Sequence, residues 1–180
     1  MSKPQTRVRL CEERFDYFFV YYFSHYLGSR FAKFHFDLFD LLTDDSKELV
    51  NSIIFRGSGK SSIVSTAFVT WNIVYRKRRF IIIASDVGDS AQSQADTVIY
   101  ELQANEKLKA DFGELYKEKR SDDDISRKKK VNDFITANDV RVTVKSRGKK
   151  VRGERHHNFR PELAILDDPE TIGSTQKKEQ

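Results

Sequence analysis

The chain of 180 residues contains a single cysteine. Cys11 therefore forms no disulfide within the chain and supplies no multi-thiolate metal site, a pattern that suits a reducing compartment. Long apolar runs are also missing. The greasiest stretch, residues 17–23, is far shorter than the ~20 residues a membrane-crossing helix needs. Glu12, Glu13 and Asp16 fall where the apolar core of a secretory leader would lie, so no such leader is expected. No solenoid-type repeat is present. What remains is a chain in which 38% of residues are hydrophobic and 33% charged, long enough for one domain with a buried sheet. Its formal charge of +5 favours a polyanionic partner weakly and says nothing of fold.

The apolar pattern divides the chain. Residues 1–14 carry Lys3, Arg7 and Arg9 with little apolar content and are expected to be a loose tail, with the domain covering 15–180. Phe15, Phe18, Phe19, Tyr22 and Tyr26 recur at helical spacing, and Phe34, Leu38 and Leu41 or Leu42 mark a second helix; both stripes read as core packing. Residues 50–55 have the length and apolar content of a strand. Then come Arg56-Gly57-Ser58-Gly59-Lys60-Ser61-Ser62 and a helix face made by Ile63, Val64, Ala67, Phe68, Trp71 and Val74. Residues 80–84 form an unalternating apolar strand, as expected when both faces are covered. Ala91, Ala95, Val98, Ile99 and Leu102 mark another helix. Residues 117–130 are nearly all charged and read as a solvated segment. Residues 132–137 and 140–145 read as two strands joined by Asn138-Asp139. Residues 146–161 read as a loop, and 163–166 as a last buried strand ending in Asp167-Asp168. Strands alternating with helices predict an α/β fold with a mainly parallel sheet flanked by helices.

The strand, glycine turn and helix around Lys60 have the composition of a phosphate site. Gly57 and Gly59 let the backbone curl so that several N–H groups converge, and the helix N-terminus adds its unpaired N–H groups. In that reading Arg56, Gly57, Ser58, Gly59, Lys60, Ser61 and Ser62 hold the phosphates of ATP, Lys60 reaches the β- and γ-phosphates, and Ser61 binds Mg²⁺. The full phosphate-loop pattern has a glycine where this chain has Ile54. A hydrolase of this class also needs a carboxylate at a neighbouring strand end to hold Mg²⁺, and Asp167 is assigned that role. Asp168 or Glu170 orients the attacking water, and the sequence leaves the two open.

These residues resemble the ATPase portion of viral and bacteriophage terminase large subunits. The segment 55–62 is similar to their variant Walker A loop, which often lacks the first glycine and carries an arginine at the place of Arg56. Ser90, Gln92, Gln94 and Ala95 resemble the segment after their second strand. Residues 151–155 and 160–168 resemble their approach to Walker B, with Asp168 where many members have Glu. The resemblance, over about residues 30–170, implies a P-loop NTPase fold of the RecA/ASCE-like kind. It implies an ATP hydrolase that packages viral DNA, with Arg56 acting in cis on the γ-phosphate. The motif expected downstream of Walker B and the nuclease domain are not evident. The implied partners are double-stranded DNA, a portal protein, a small terminase subunit and further copies of the chain in a ring. The implied place is the host cytoplasm at the procapsid portal. Arg120, Arg127, Arg152 and Arg155 are candidates to complete a neighbouring subunit's site.

A basic stretch supplies candidate contacts to DNA phosphates: Lys145, Arg147, Lys149, Lys150, Arg152 and Arg155, with Arg141 preceding them and Glu154 opposing them. His156 and His157 follow. No metal-type residue stands at ligand spacing from them in the sequence, so they read as loop residues. Two further functions fit the same residues: another nucleic-acid-dependent ATPase of helicase type, or a remnant that binds nucleotide or DNA without turnover.

Overall fold

A computed structural model describes residues 3–28, 30–85, 88–117, 133–146 and 153–167. Four strands form one sheet: β1 (Phe80–Ser85), β2 (Asp133–Ile135), β3 (Arg141–Ser146) and β4 (Leu163–Asp167). Their order is β2-β3-β1-β4. β1 runs parallel to both β3 and β4, while β2 folds back antiparallel on β3. β1 is central because its sequence, FIIIAS, is buried along nearly its whole length, as an unalternating apolar run requires. The register sets Ser85 beside Asp167 on one side and Ser146 on the other, so the carboxyl ends of three parallel strands share one edge.

Helices cover the sheet. They are α1 (Lys3–Glu13), α2 (Phe15–Tyr22), α3 (Lys33–Thr43), α4 (Val69–Val74), α5 (Gly88–Ala104) and α6 (Glu106–Phe112). A π-helical stretch, Ser62–Phe68, runs directly into α4. The molecule is thus a mixed α/β fold in which a four-stranded, mainly parallel sheet is flanked by helices. Most of the expected helical positions are packed, but Phe34 is half-buried, and so is Tyr26, which stands on a 3-10 turn (Ser24–Tyr26) after α2 while Phe23 is buried instead. Phe15, Phe18, Phe19, Tyr22 and Phe23 are at most 2% exposed. The Phe15 ring meets Phe39, Phe68 and Trp71 at centroid distances of 5.4, 5.3 and 5.4 Å, which joins α2, α3 and the helix after the glycine turn in one aromatic core.

The strand expected over 163–166 forms as β4 but is not a buried one: it lies at the sheet edge among the described residues, with Ile165 buried, Ala164 exposed and Leu166 61% exposed. Two further expectations fail. Residues 3–13 are helical rather than loose. α1 is held by side chains from distant elements: Trp71 Nε1 donates to the Cys11 carbonyl at 2.9 Å, the Tyr75 hydroxyl donates to the Val8 carbonyl at 2.8 Å, and Arg7 pairs with Asp111. Its own apolar content is low, so tertiary contacts such as these fix it. The second failure is the strand expected over 50–55, which is irregular and unpaired. Ile53 is 93% exposed and Phe55 66%. A strand persists only against a hydrogen-bonded neighbour. Here β4 is the sheet edge among the described residues, and a cavity of about 620 Å³ separates it from residues 49–54. The charged run over 117–130 lies almost wholly outside the described residues.

Candidate functional site

The turn before the helix is shaped by two glycines. Gly57 and Gly59 have φ of 83° and 78°, a left-handed backbone that L side chains rarely adopt. Nothing lies within 4 Å of where a Cβ would stand on either. The requirement for glycine is therefore conformational and not a matter of space. Helical bonding begins at once, with the Ile63 N–H donating to the Gly59 carbonyl at 3.0 Å.

α3 fixes the turn from outside. His35 Nε2 donates to the Ser58 carbonyl at 3.0 Å, while its Nδ1 accepts from the Ala32 N–H at 3.0 Å. These two bonds select the Nε2–H tautomer. Phe34, the preceding residue, meets the Phe55 ring edge-on at 5.3 Å. Ser58 is consequently buried within an otherwise exposed turn. The sequence singles out neither His35 nor its role, because an isolated histidine on an amphipathic helix carries no local signal of a contact to residue 58.

Lys60 and Asp167 meet. Lys60 Nζ lies 3.5 Å from Asp167 Oδ1, and both line the cavity between residues 49–54 and β4. The lysine side chain is 32% exposed and the aspartate 17%, so the pair sits at the mouth of the cleft, not in its depth. Val64, Phe68 and Ile165 give the wall an apolar lining. Gln94, from α5, donates through Nε2 to Asp167 Oδ2 at 2.5 Å. The other amide atom, Oε1, is buried with no hydrogen-bond partner among the described residues. Rotating the amide would set two acceptors face to face, so the donor must point at the carboxylate and the acceptor is left over. A primary amine, a carboxylate and an unsatisfied amide oxygen thus converge beside a glycine turn. Such a set has the chemistry to take a polyanion through the amine and a hard cation or water through the oxygens.

The remaining candidates divide. Arg56 and Ser61 are exposed and Ser62 half-buried, all within the same turn and first helical residues. Asp168 and Glu170, the alternatives for water activation, lie outside the described residues, as do Arg120, Arg127, Arg147, Lys149, Lys150 and Arg152. Of the basic stretch, Lys145 and Arg155 are described. Lys145 is bonded to Glu154, and Arg141 to Asp133, so part of the positive charge is neutralised within the fold. The sequence reading sets Glu154 alone against this stretch. Asp133 joins it only because the antiparallel β2–β3 pairing brings residues 133 and 141 onto adjacent strands. Arg155 is exposed, and its carbonyl accepts from Arg141 Nη1 at 2.7 Å. No helix among the described residues is long and apolar enough to cross a membrane.

No protein-family model, curated protein or solved structure matches this chain.

Proposed function

We propose that the chain is an ATP-hydrolysing P-loop domain, of RecA/ASCE-like fold, from a viral DNA-packaging motor similar to a terminase large subunit. The reading rests on one observation: two side chains far apart in sequence, Lys60 and Asp167, approach to 3.5 Å beside a turn with left-handed glycines. A lysine after a glycine turn and an acid at the end of a parallel strand are the two charges that a nucleotide triphosphate and its cation demand.

In this mechanism the backbone N–H groups of residues 57–61 and the Lys60 ammonium bind the phosphates, and Arg56 adds charge at the terminal phosphoryl group. Ser61 and Asp167 hold Mg²⁺, for which hydroxyl and carboxylate oxygens are suitable donors. Mg²⁺ when bound neutralises charge on the transferring phosphoryl oxygens. The unsatisfied Gln94 Oε1 beside Asp167 suits a water donor at the same place. Asp168 or Glu170 orients the water that attacks the terminal phosphorus, the bond to the bridging oxygen breaks, and ADP and phosphate result. Without nucleotide, Lys60 and Asp167 neutralise each other, and binding exchanges that contact for one to phosphate and one to the cation. Turnover then moves the basic segment that begins at Lys145 against double-stranded DNA, in a ring of subunits at a portal with a small terminase subunit. A helicase-type task would use the same residues and would show itself as strand separation on a forked duplex.

Phosphate release measured with Mg²⁺ and DNA tests the assignment. Lys60→Ala is expected to lower turnover by about 100-fold or more, as loss of a charge-stabilising group does. Hydrolysis by Lys60→Ala at the parent rate would eliminate the site.

A further inference from the structure

At the other end of the sheet, three connections converge on one carboxylate. Asp139, in the β2–β3 turn, has Oδ1 at 2.9 Å from His156 Nε2 and 3.2 Å from His157 Nε2. One ligand atom from each of the three residues lies within 4.8 Å of the others. The second oxygen, Oδ2, accepts from Arg76 Nη2 at 2.9 Å. Arg76 precedes β1, Asp139 precedes β3 and the histidines precede β4, so the cluster gathers the chain entries to all three parallel strands. Asp167 closes β4 at its opposite end, which sets the cluster apart from the Lys60 cleft.

The backbone around this carboxylate is unusual. Among the described residues, the non-glycine positions with positive φ are Arg76 at 53°, Asp139 at 64° and His157 at 52°. All three are members of this cluster. Left-handed backbone is unfavourable at such residues and gathers where a structure holds side chains for a purpose. Both turns are independently braced. The Asp139 N–H donates to the Thr136 carbonyl at 2.9 Å, and Asn138 Nδ2 to the Ile73 carbonyl at 2.7 Å. On the other side, His156 and Phe159 exchange two backbone bonds of 2.9 Å. His156 is 5% exposed and His157 65%, so the cluster is closed on one side and open to solvent on the other.

We propose that Asp139, His156 and His157 form a site for a borderline divalent transition metal of the zinc class. Two imidazole nitrogens with one carboxylate oxygen suit Zn²⁺ and disfavour Mg²⁺ or Ca²⁺, which take oxygen ligands. Metal–ligand distances of about 2.0–2.1 Å in a tetrahedron place ligand atoms about 3.3 Å apart. The distances of 2.9 and 3.2 Å to the shared oxygen are already within a few tenths of an ångström of that spacing. Arg76 holds the oxygen that does not ligate, a supporting contact of the kind that orients carboxylate ligands. The open side leaves the fourth position to water. The ion acts as a clip that joins the turn before β3 to the loop before β4.

Titration of untagged, chelator-treated chain with Zn²⁺, followed by calorimetry, and with Co²⁺, followed by its visible absorption, tests the site. One equivalent is expected to bind, with four-coordinate Co²⁺ bands, and Zn²⁺ is expected to raise the melting temperature. His157→Ala and Asp139→Asn are each expected to weaken binding at least about tenfold. His25→Ala, far from the cluster, is expected to leave it unchanged. His157 is exposed, so its variant retains the fold and decides the matter if Asp139→Asn does not fold. Absence of binding at excess Zn²⁺, or equal binding by His157→Ala, overturns the proposal. Neither outcome touches the Lys60 assignment, which is read through ATP turnover.

Discussion

His35 shows how one residue links a helix to a site it does not enter. Its Nε2–H reaches the Ser58 carbonyl and its Nδ1 takes the Ala32 N–H, so a single ring braces the glycine turn against the start of α3. His35→Ala removes both bonds while leaving Phe34 on Phe55. Each lost bond costs about 1 kcal/mol, and the Ser58 carbonyl keeps some access to water. Stability to urea is therefore expected to fall by about 1–2 kcal/mol. Under the proposed function the sharper consequence is expected in nucleotide binding, since a phosphate-binding turn would have to hold its left-handed shape before phosphate arrives. KM for ATP is expected to rise several-fold with kcat little changed, the split expected of a positioning residue. An unchanged KM in a variant that has lost stability would show that the turn needs no brace from α3.

At the scale of elements, α1 and the segment 50–55 show what apolar periodicity does and does not report. α2, α3, α5, β1 and β3 are legible because each buries its own stripe or run, and the hairpin because Asn138-Asp139 is a turn by chemistry, whereas the apolar run of β4 places a strand but not its burial, since Ala164 and Leu166 face out at the sheet edge. α1 buries little and is fixed instead by Arg7, which meets Asp111 through both carboxylate oxygens at 2.5 and 2.7 Å. A sequence offers no sign that an arginine at 7 has its partner at 111. Residues 50–55 err in the opposite sense: their composition suits a strand, but strand structure belongs to a pair, and no described strand lies beside them. The candidate site was legible in the same proportion. Lys60 and Asp167 announce themselves by their neighbours, whereas Gln94 stands out only through a resemblance and His35 carries no signal at all. Asp139 went unseen as a partner of His156 and His157 because turn geometry, and not spacing, brings it there. The α1 correction is testable. Arg7→Ala leaves Asp111, whose side chain is 11% exposed, with the Tyr22 hydroxyl as its donor at 2.7 Å. A loss of about 1–3 kcal/mol is expected, with earlier proteolysis within residues 3–13. A loose tail would show neither effect.

At the scale of the whole molecule, the packed acids and the net charge both weaken the fold above the isoelectric point, and a variant that removes one packed acid separates the two. With a formal charge of +5 at pH 7 and an isoelectric point near 9.2, loss of protons first brings the chain to neutrality and then makes it increasingly negative, so net charge favours the fold only up to about that pH. The core adds to the loss above it. Burial pushes the Cys11 thiol up from its ordinary 9.0 to about 11. It pushes the Tyr26 phenol up from 10.0 to about 12, with the nearby Glu101 carboxylate adding to the shift. Tyr22 and Tyr75 are raised further, again chiefly by burial. Each group keeps its proton in the folded chain at a pH where the unfolded chain has released it. The unfolded state then binds fewer protons, so the free energy of unfolding falls as pH rises. The contribution is fully present below pH 9.0, the ordinary value for the thiol, and is lost as pH climbs through about 11 and 12. Melting temperature is therefore expected to be nearly level from neutral pH to that point and to decline beyond it, where the growing negative charge adds to the loss. Cys11→Ala removes the first of these groups and is expected to flatten the decline between pH 9.0 and about 11, whatever its cost in packing at neutral pH. A melting profile of the same slope in that interval for both proteins would mean that the thiol is not held in the environment formed by α1, α2 and Trp71. In that case the anchoring of the amino-terminal helix on the sheet-covering layer would have to be redrawn.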